Sequence, residues 1–293
     1  MTPTANSYCS GAGLMDLGLE RAGIQVQEHN EIDEVACATL RKNFKGGRVR
    51  CGDITKKLVK DEAPCDVMVA TYPCTKYSTA ADINGTRTGD ELFLHFFRHL
   101  AIRRPEAYIV ENVPGMKKFP VVMEAMTRLP DYYVHVVCPV GAQTWLPQRR
   151  DRLIIIGTKR YFLFREPTAP AKRVALKDVL EEDPQIEIPE YVYARLSGKY
   201  RDQPIISDPE RGDIAPTCVA HYAKDMGTRL VKDRRFPRGV RPYTVREYAR
   251  LQGVPDSFEF TGTPQQAYRQ IGNGVAVPMA EWVGGEIVRY FNN

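Results

Sequence analysis

No apolar run in this chain approaches the ~18 residues that a membrane helix requires, and one of the strongest, Leu153–Ile156, is only strand-sized. The opening residues MTPTANSYCSGAG lack a basic stretch leading into an apolar one, so no signal peptide is visible and a cytoplasmic home is expected. The cysteines stand at 9, 37, 51, 65, 74, 138 and 218. Their number is odd and none form a CxxC, which points to neither a disulfide framework nor a clustered zinc site, and no metal is expected. There is no internal repeat and no low-complexity tract. The 43% hydrophobic and 26% charged composition excludes disorder, collagen and coiled coil as the main architecture.

At roughly 150 residues per domain, 293 residues make one large domain plus a smaller one, or one long α/β domain. Strands are expected at a short N-terminal segment, Ile24–Glu28, Val67–Ala70, Tyr108–Val110, Tyr133–Val137 and Leu153–Ile156. Helical patterns lie between them. One follows Gly13, and one carries Phe93, Phe96, Phe97, Leu100 and Ala101 on a single stripe. This alternation predicts an α/β fold with a doubly wound, mostly parallel sheet. After Gly157 prolines recur and periodicity fades, which reads as an irregular second region. Helical patterns return at Thr244–Leu251 and after Pro278. The expected domains are 1–157 with 268–293, and a small one at 158–267.

The net charge of +5 is mild, but its distribution is uneven. Lys224–Arg250 holds nine Lys/Arg against three Asp/Glu, and Lys177–Asp213 holds ten acids against five bases. The basic segment reads either as a track for a phosphate backbone or as a solvated charged face.

Several residues stand where such sheets carry chemistry. Ser10-Gly11-Ala12-Gly13-Leu14 joins a strand to a helix, and glycines there let backbone approach a ligand. The spacing is not GxGxxG. Glu31 ends the next strand and Asp53 ends a third, which together describe a nucleoside pocket without a diphosphate. S-Adenosyl-L-methionine is the commonest ligand of that description; the alternative is a glycine turn with surface acids. Cys74 follows the apolar strand Val67–Ala70 and Pro73, two residues before Lys76, a cation that favours the thiolate. The remaining cysteines other than Cys9 read as buried fillers. Glu111 ends another apolar strand, where a carboxylate needs work or a partner. Arg150 and Arg152 alternate to one side of a strand, where they can pair with Glu111 or a ligand, or form a structural ion pair.

Taken in order, these segments resemble the cytosine-C5 DNA methyltransferase family over nearly the whole chain. Ser10–Gly13 with Leu17–Gly23 resembles its cofactor loop, and Asn30-Glu31-Ile32-Asp33 and Gly52-Asp53-Ile54 resemble the next two cofactor motifs. Pro73-Cys74 with Ser78 resembles the nucleophile motif, and Leu92-Phe93 a cofactor-contacting helix start. Glu111-Asn112-Val113, Gln148-x-Arg150-x-Arg152, Arg241–Phe258 and Gln270–Asn273 match its later motifs. The resemblance implies a Rossmann-like methyltransferase fold with S-adenosyl-L-methionine as cofactor. Its partner would be duplex DNA, contacted by a small target-recognition domain spanning roughly Thr158 to Val240.

The resemblance also implies roles. Cys74 would attack C6 of a flipped-out cytosine, Glu111 would hold and protonate N3, and Arg152 would hold the base with Arg150 in support. Cys9, Gly11, Gly13, Leu14, Glu31, Ile32, Asp53, Ile54, Leu92 and Asn273 would line the donor site. Pro73, Ser78, Asn112 and Gln148 would face the substrate, and Lys232, Arg234, Arg235 and Arg238 would meet phosphates more than bases. The polar, flexible segment Ser78–Asp90 would close over the DNA. The small size suggests a monomeric prokaryotic or phage enzyme of the restriction-modification type.

The chain departs from the family at Cys9 and Ile32, where aromatics are usual, at Leu14, where a second glycine is usual, and at Thr75, Lys76 and Tyr77. These departures leave open a modified sulfonium donor. The same chemistry on RNA, a catalytically silent DNA-binding relative, and a cysteine hydrolase with His29 beside Cys74 also stay open.

Overall fold

Val67–Ala70 is apolar at every position because both its faces are covered: all four side chains are fully buried. It is β4 of a seven-stranded sheet in a computed structural model that describes residues 2–73, 92–199 and 201–293. Cys74, Ser78 and the segment Ser78–Asp90 lie outside the described residues.

The sheet strands are β1 (Thr4–Tyr8), β2 (Gln25–Glu31), β3 (Arg48–Cys51), β4, β5 (Ala107–Asn112), β6 (Tyr133–Gly141) and β7 (Asp151–Thr158). Their spatial order is β3-β2-β1-β4-β5-β7-β6. β1 to β5 pair in parallel, and β7 runs antiparallel beside β5. The order reverses direction between β1 and β4, which is the switch point where open α/β sheets bind ligands. Helices α1 (Leu14–Arg21), α2 (Glu34–Asn43), α3 (Leu92–Arg103) and α4 (Pro120–Thr127) accompany these strands. The expected mostly parallel α/β sheet is present; Val67–Ala70 has the expected bounds, β2 starts one residue later and ends three later than expected, and β5, β6 and β7 are longer than expected.

The second region contains short helices α5 (Leu176–Val179) and α6 (Glu190–Arg195), then β8 (Ile205–Ser207), β9 (Arg229–Lys232) and β10 (Val240–Pro242). These strands form a separate sheet in the order β10-β9-β8. Helices α7 (Val245–Leu251), α8 (Pro264–Asn273) and α9 (Val277–Phe291) follow. Thr244 caps α7 through a reciprocal box with Glu247, as its Thr-x-x-Glu spacing encodes.

The chain forms two compact units, and their borders differ from those expected. The first comprises Met1–Val140, Asp151–Pro167 and Met279–Asn293; the second comprises Gly141–Arg150 and Thr168–Pro278. Residues 158–167 stay with the first unit because Phe162 packs edge-on against Tyr290 and the Arg160 N–H donates to the Tyr290 hydroxyl. Residues 268–278 belong to the second because Tyr268 packs on Tyr222 and Tyr248. Residues 141–150 join them through side-chain bonds described below. None of these contacts leaves a periodic trace in sequence.

Gly157 of β7 lies opposite Tyr108 of β5 in register, and a Cβ there would stand 2.0 Å from the tyrosine ring. The ring cannot move freely, since its hydroxyl donates to the Met126 carbonyl at 2.6 Å. Gly157→Ala is expected to cost about 1–3 kcal/mol through overpacking, read as a lowered urea midpoint.

Candidate active site

The carboxyl ends of β1 to β5 gather at one edge of the sheet, and each carries a residue of the predicted site. After β1 the chain turns sharply: Cys9 has φ 56°, Gly11 φ 57° and Gly13 φ 83°. The two glycines serve different ends. A Cβ on Gly11 would meet open space, which leaves this stretch of backbone accessible. A Cβ on Gly13 would sit 2.5 Å from Phe44 and 2.7 Å from Leu40, so that glycine admits α2. The Leu14 side chain is buried, so only its backbone faces the loop.

The turn rests on a buried polar chain. The Ser10 hydroxyl donates to Ser7 Oγ at 2.9 Å, and Ser7 donates to Asp16 Oδ1 at 2.6 Å. Asp16 Oδ2 pairs with His29 Nδ1 at 2.7 Å, with both side chains fully buried. His29 is thereby committed beneath the loop, which removes the cysteine-hydrolase reading that placed it beside Cys74. A serine and a histidine inside otherwise buried strands were the sequence signal for this chain.

Glu31 accepts the Gly11 N–H at 2.7 Å on Oε2 and the Ile32 and Asp33 N–H groups on Oε1. Three N–H donors fix the carboxylate and leave it lone pairs for hydroxyl donors. Asp53 accepts from the Thr55 N–H at 2.9 Å, and the Thr55 N–H and hydroxyl hold its carboxyl below the usual range. Burial, with the charges of Glu31 and Asp53, pushes the Cys9 thiol up to about 12, so it is a neutral thiol facing both acids. Ile32 is 64% exposed, an apolar side chain beside the Glu31 carboxylate. Ile54 is buried in the core of the first unit, and Leu92, the first residue of α3, packs on that core.

At the switch point, the Thr71 hydroxyl donates to the Cys9 carbonyl at 2.9 Å. Tyr72 is buried and Pro73 exposed, so the described chain leads outward just before Cys74. Asn112 is held by backbone. Its Nδ2 donates to the Tyr72 carbonyl at 3.1 Å and its Oδ1 accepts the Val113 N–H at 2.9 Å. With a nearly fully buried side chain, it tethers the approach to Cys74.

Glu111 is the penultimate residue of β5, and Arg152 is the second of antiparallel β7, which brings the two to one edge. Arg152 Nε lies 2.8 Å from Glu111 Oε1, and both side chains are mostly buried. The pairing foreseen for Arg152 is present. Arg150 and Gln148 are engaged within the second unit. Arg150 donates to the carbonyls of Cys218 at 2.9 Å, Gly272 at 3.0 Å and Gly274 at 2.6 Å. Gln148 donates to the Leu251 carbonyl at 2.7 Å and accepts the Cys218 N–H at 3.0 Å. β7 begins only at Asp151, so strand alternation does not extend back to Arg150. These two buried side chains organise the second unit. Asn273 also belongs to that unit, exposed at the end of α8.

Residues 4–289 match the family model for C-5 cytosine-specific DNA methylase. The chain belongs to that family. It is a DNA (cytosine-5-)-methyltransferase. It is similar to the type II methyltransferase M.Sau96I of Staphylococcus aureus, 30% identical over 97% of this chain and 75% of that one. It is 31% identical to M.NlaX of Neisseria lactamica over 92% of this chain and 91% of that one. The solved structure of the Entamoeba histolytica methyltransferase EhMeth covers 100% of both chains with a TM-score of 0.83 at 18% identity, a likeness of fold.

In this methyltransferase the basic segment is largely occupied by its own acids. Lys232 pairs with Asp208 at 2.7 Å, and Arg235 forks onto Asp233 at 2.8 and 2.7 Å. Arg238 donates to the Tyr193 carbonyl at 2.7 Å and Ser197 Oγ at 3.0 Å. Arg241, fully buried, bridges Asp233 at 2.8 Å and Glu247 at 2.6 Å. All four expected phosphate contacts are exposed: Lys232 and Arg235 pair with acids, Arg238 binds a carbonyl and a hydroxyl, and Arg234 adds a further exposed cation. The acidic and basic windows of the sequence therefore partly neutralise one another, as the Lys232–Asp208 pair shows.

Arg150→Ala should lower stability by about 3 kcal/mol, because three buried carbonyls lose a charged donor. Arg152→Ala leaves a mostly buried carboxylate unpaired, so it should also lower the urea midpoint, by about 3 kcal/mol, and in addition slow methylation by about 100-fold. An equal slowing in both variants, measured where both are folded, would remove the distinction. Asn112→Ala should slow single-turnover methylation by about 10-fold with donor affinity intact. A parallel fall in donor affinity would contradict the tether.

Proposed function

We propose that the chain methylates C5 of a cytosine flipped out of a specific duplex DNA sequence, through a covalent bond between Cys74 Sγ and C6 of the base, with S-adenosyl-L-methionine as donor. The observation that carries this reading is the Glu111–Arg152 pair, placed at the sheet edge that also bears the glycine loop and the approach to Cys74. The donor fits the residues present. Gly11 leaves backbone open, Glu31 and Asp53 can accept ribose hydroxyls, and exposed Ile32 offers the adenine an apolar face. Asn273, exposed at the end of α8, is assigned to the donor by motif alone.

Cytosine C5 is a poor nucleophile. Addition of the Cys74 thiolate to C6 makes C5 enamine-like and divides a hard step into two. Glu111 delivers a proton to N3 as that bond forms, so charge does not accumulate on the ring. Arg152 fixes the Glu111 carboxyl through Oε1 and directs remaining guanidinium donors to O2 of the base. S-Adenosyl-L-methionine supplies an electrophilic methyl group when bound. Loss of the C5 proton then lets the Sγ–C6 bond break and frees Cys74. The geometry demands an extrahelical base, at a cost of about a few kcal/mol in unstacking.

The second unit carries the sequence-reading role, with Arg234 an exposed cation for phosphate. Among the described residues no helix is long and apolar enough to cross a membrane. The bacterial type II relatives favour the cytoplasm of a prokaryotic or phage-infected cell.

Nucleoside mass spectrometry of mixed-sequence duplex DNA incubated with enzyme and S-adenosyl-L-methionine should show 5-methylcytosine, absent with Cys74→Ala. Glu111→Gln should retain about 10⁻² to 10⁻⁴ of the rate. Duplexes containing 5-fluorocytosine should trap a covalent complex that Cys74→Ala does not form. Trapping by Cys74→Ala, or methylation without Cys74, would overturn the mechanism.

A further inference from the structure

Two cysteines read from sequence as fillers lie beside the donor acids. Cys51 closes β3 and stands in register with Glu31 of β2. It is exposed, contrary to that expectation. Cys37 is fully buried in α2, and its Sγ donates to the Glu31 carbonyl at 3.4 Å. The same carbonyl accepts the N–H of Gly52, the neighbour of Cys51, at 2.8 Å. The Cys37 thiol and the peptide N–H that follows Cys51 thus converge on one oxygen.

We propose that Cys37 and Cys51 form an oxidisable dithiol, a modification site for peroxides and disulfides that adjusts donor binding. The Cys37 thiol and the Gly52 N–H meet at the Glu31 carbonyl, which brings Cys37 beside the end of β3, and α2 packs on that strand. Burial, and then the neighbouring Cys51, keep the Cys37 thiol protonated well above its usual range. The roles follow from access. Cys51 meets the oxidant and Cys37 resolves the product.

With hydrogen peroxide, the Cys51 thiolate attacks one oxygen, the O–O bond breaks and the second oxygen leaves as water. Cys51 is then a sulfenic acid. Cys37 sulfur attacks the Cys51 sulfur, the S–O bond breaks, and the hydroxyl leaves with the Cys37 proton as a second water. Two thiols lose two electrons and peroxide gains them. A dithiol reductant reverses the change.

The consequence reaches the donor loop through two contacts. A disulfide has no S–H, so the Glu31 carbonyl loses the Cys37 donor while the Glu31 carboxylate still holds the Gly11 N–H. The new bond also ties α2 to the end of β3, and α2 and the residue after it carry Leu40 and Phe44, which would meet any Cβ on Gly13. Oxidation is expected to weaken donor binding severalfold. This consequence rests on the donor assignment above; the disulfide itself does not.

The test is mild peroxide treatment of the whole protein and of its Cys74→Ala form, followed by intact mass and peptide mapping. The expected result is a loss of about 2 Da with a Cys37–Cys51 link, absent in Cys51→Ser and reversed by dithiothreitol. An unchanged mass, oxygen added at Cys51 without a link, or a link elsewhere would overturn the proposal. Calorimetric titration with S-adenosylhomocysteine then compares reduced and oxidised protein. Weaker binding after oxidation, restored by reductant and absent in Cys51→Ser, supports control of the donor site; unchanged affinity overturns that control. Reduced protein that fails to bind S-adenosylhomocysteine, with the link still formed, refutes the donor assignment and not the dithiol.

Discussion

The shared direction of five neighbouring strands is the constraint on which the site depends. A parallel strand must be re-entered from the same end, so each connection carries the chain back along the sheet, through α1, α2 and α3 in three of the four cases, and each carboxyl end lies at one edge. Cys9, Glu31, Asp53, the approach to Cys74 and Glu111 reach that edge for this reason alone. β7 is the exception that completes the arrangement. Because it runs antiparallel to β5, its amino end lies at the same edge and delivers Arg152 to Glu111.

Polar groups buried next to this edge hold it in shape. The Ser10–Ser7–Asp16–His29 chain fixes a turn in which three of five residues have positive φ, a costly backbone that needs support on every side. Asn112 does the same for the Tyr72 carbonyl. In the second unit Arg150 and Gln148 collect carbonyls from segments far apart in sequence, and Arg241 sits between two carboxylates. Such groups are expensive to bury and more expensive to leave unpaired, so each specifies one arrangement of the loops it joins.

The motifs alone could not separate residues that serve chemistry from residues that serve the loops around it. Arg150 and Arg152 are two apart and of one type, yet one organises carbonyls and the other pairs with Glu111. Strand alternation would equate them, and the strand begins between them. Gly11 and Gly13 are equally alike in sequence; one leaves backbone open and the other admits α2. The charge windows suffered the same ambiguity, since Lys232 and Arg235 count as basic surface until Asp208 and Asp233 are found beside them.

What the sequence determined by itself was local and periodic: alternating buried strands and amphipathic helices, hence a mostly parallel α/β sheet, and the type and order of the residues at the strand ends. These are legible because burial on both faces and helical repeat each impose a pattern on neighbouring residues. Tertiary structure alone decided the unit borders, the partner of each arginine, the tether at Asn112 and the carbonyl of Glu31 shared by Cys37 and Gly52. Those depend on contacts between residues distant in the chain, and a hydrogen bond across such a distance leaves no spacing to read.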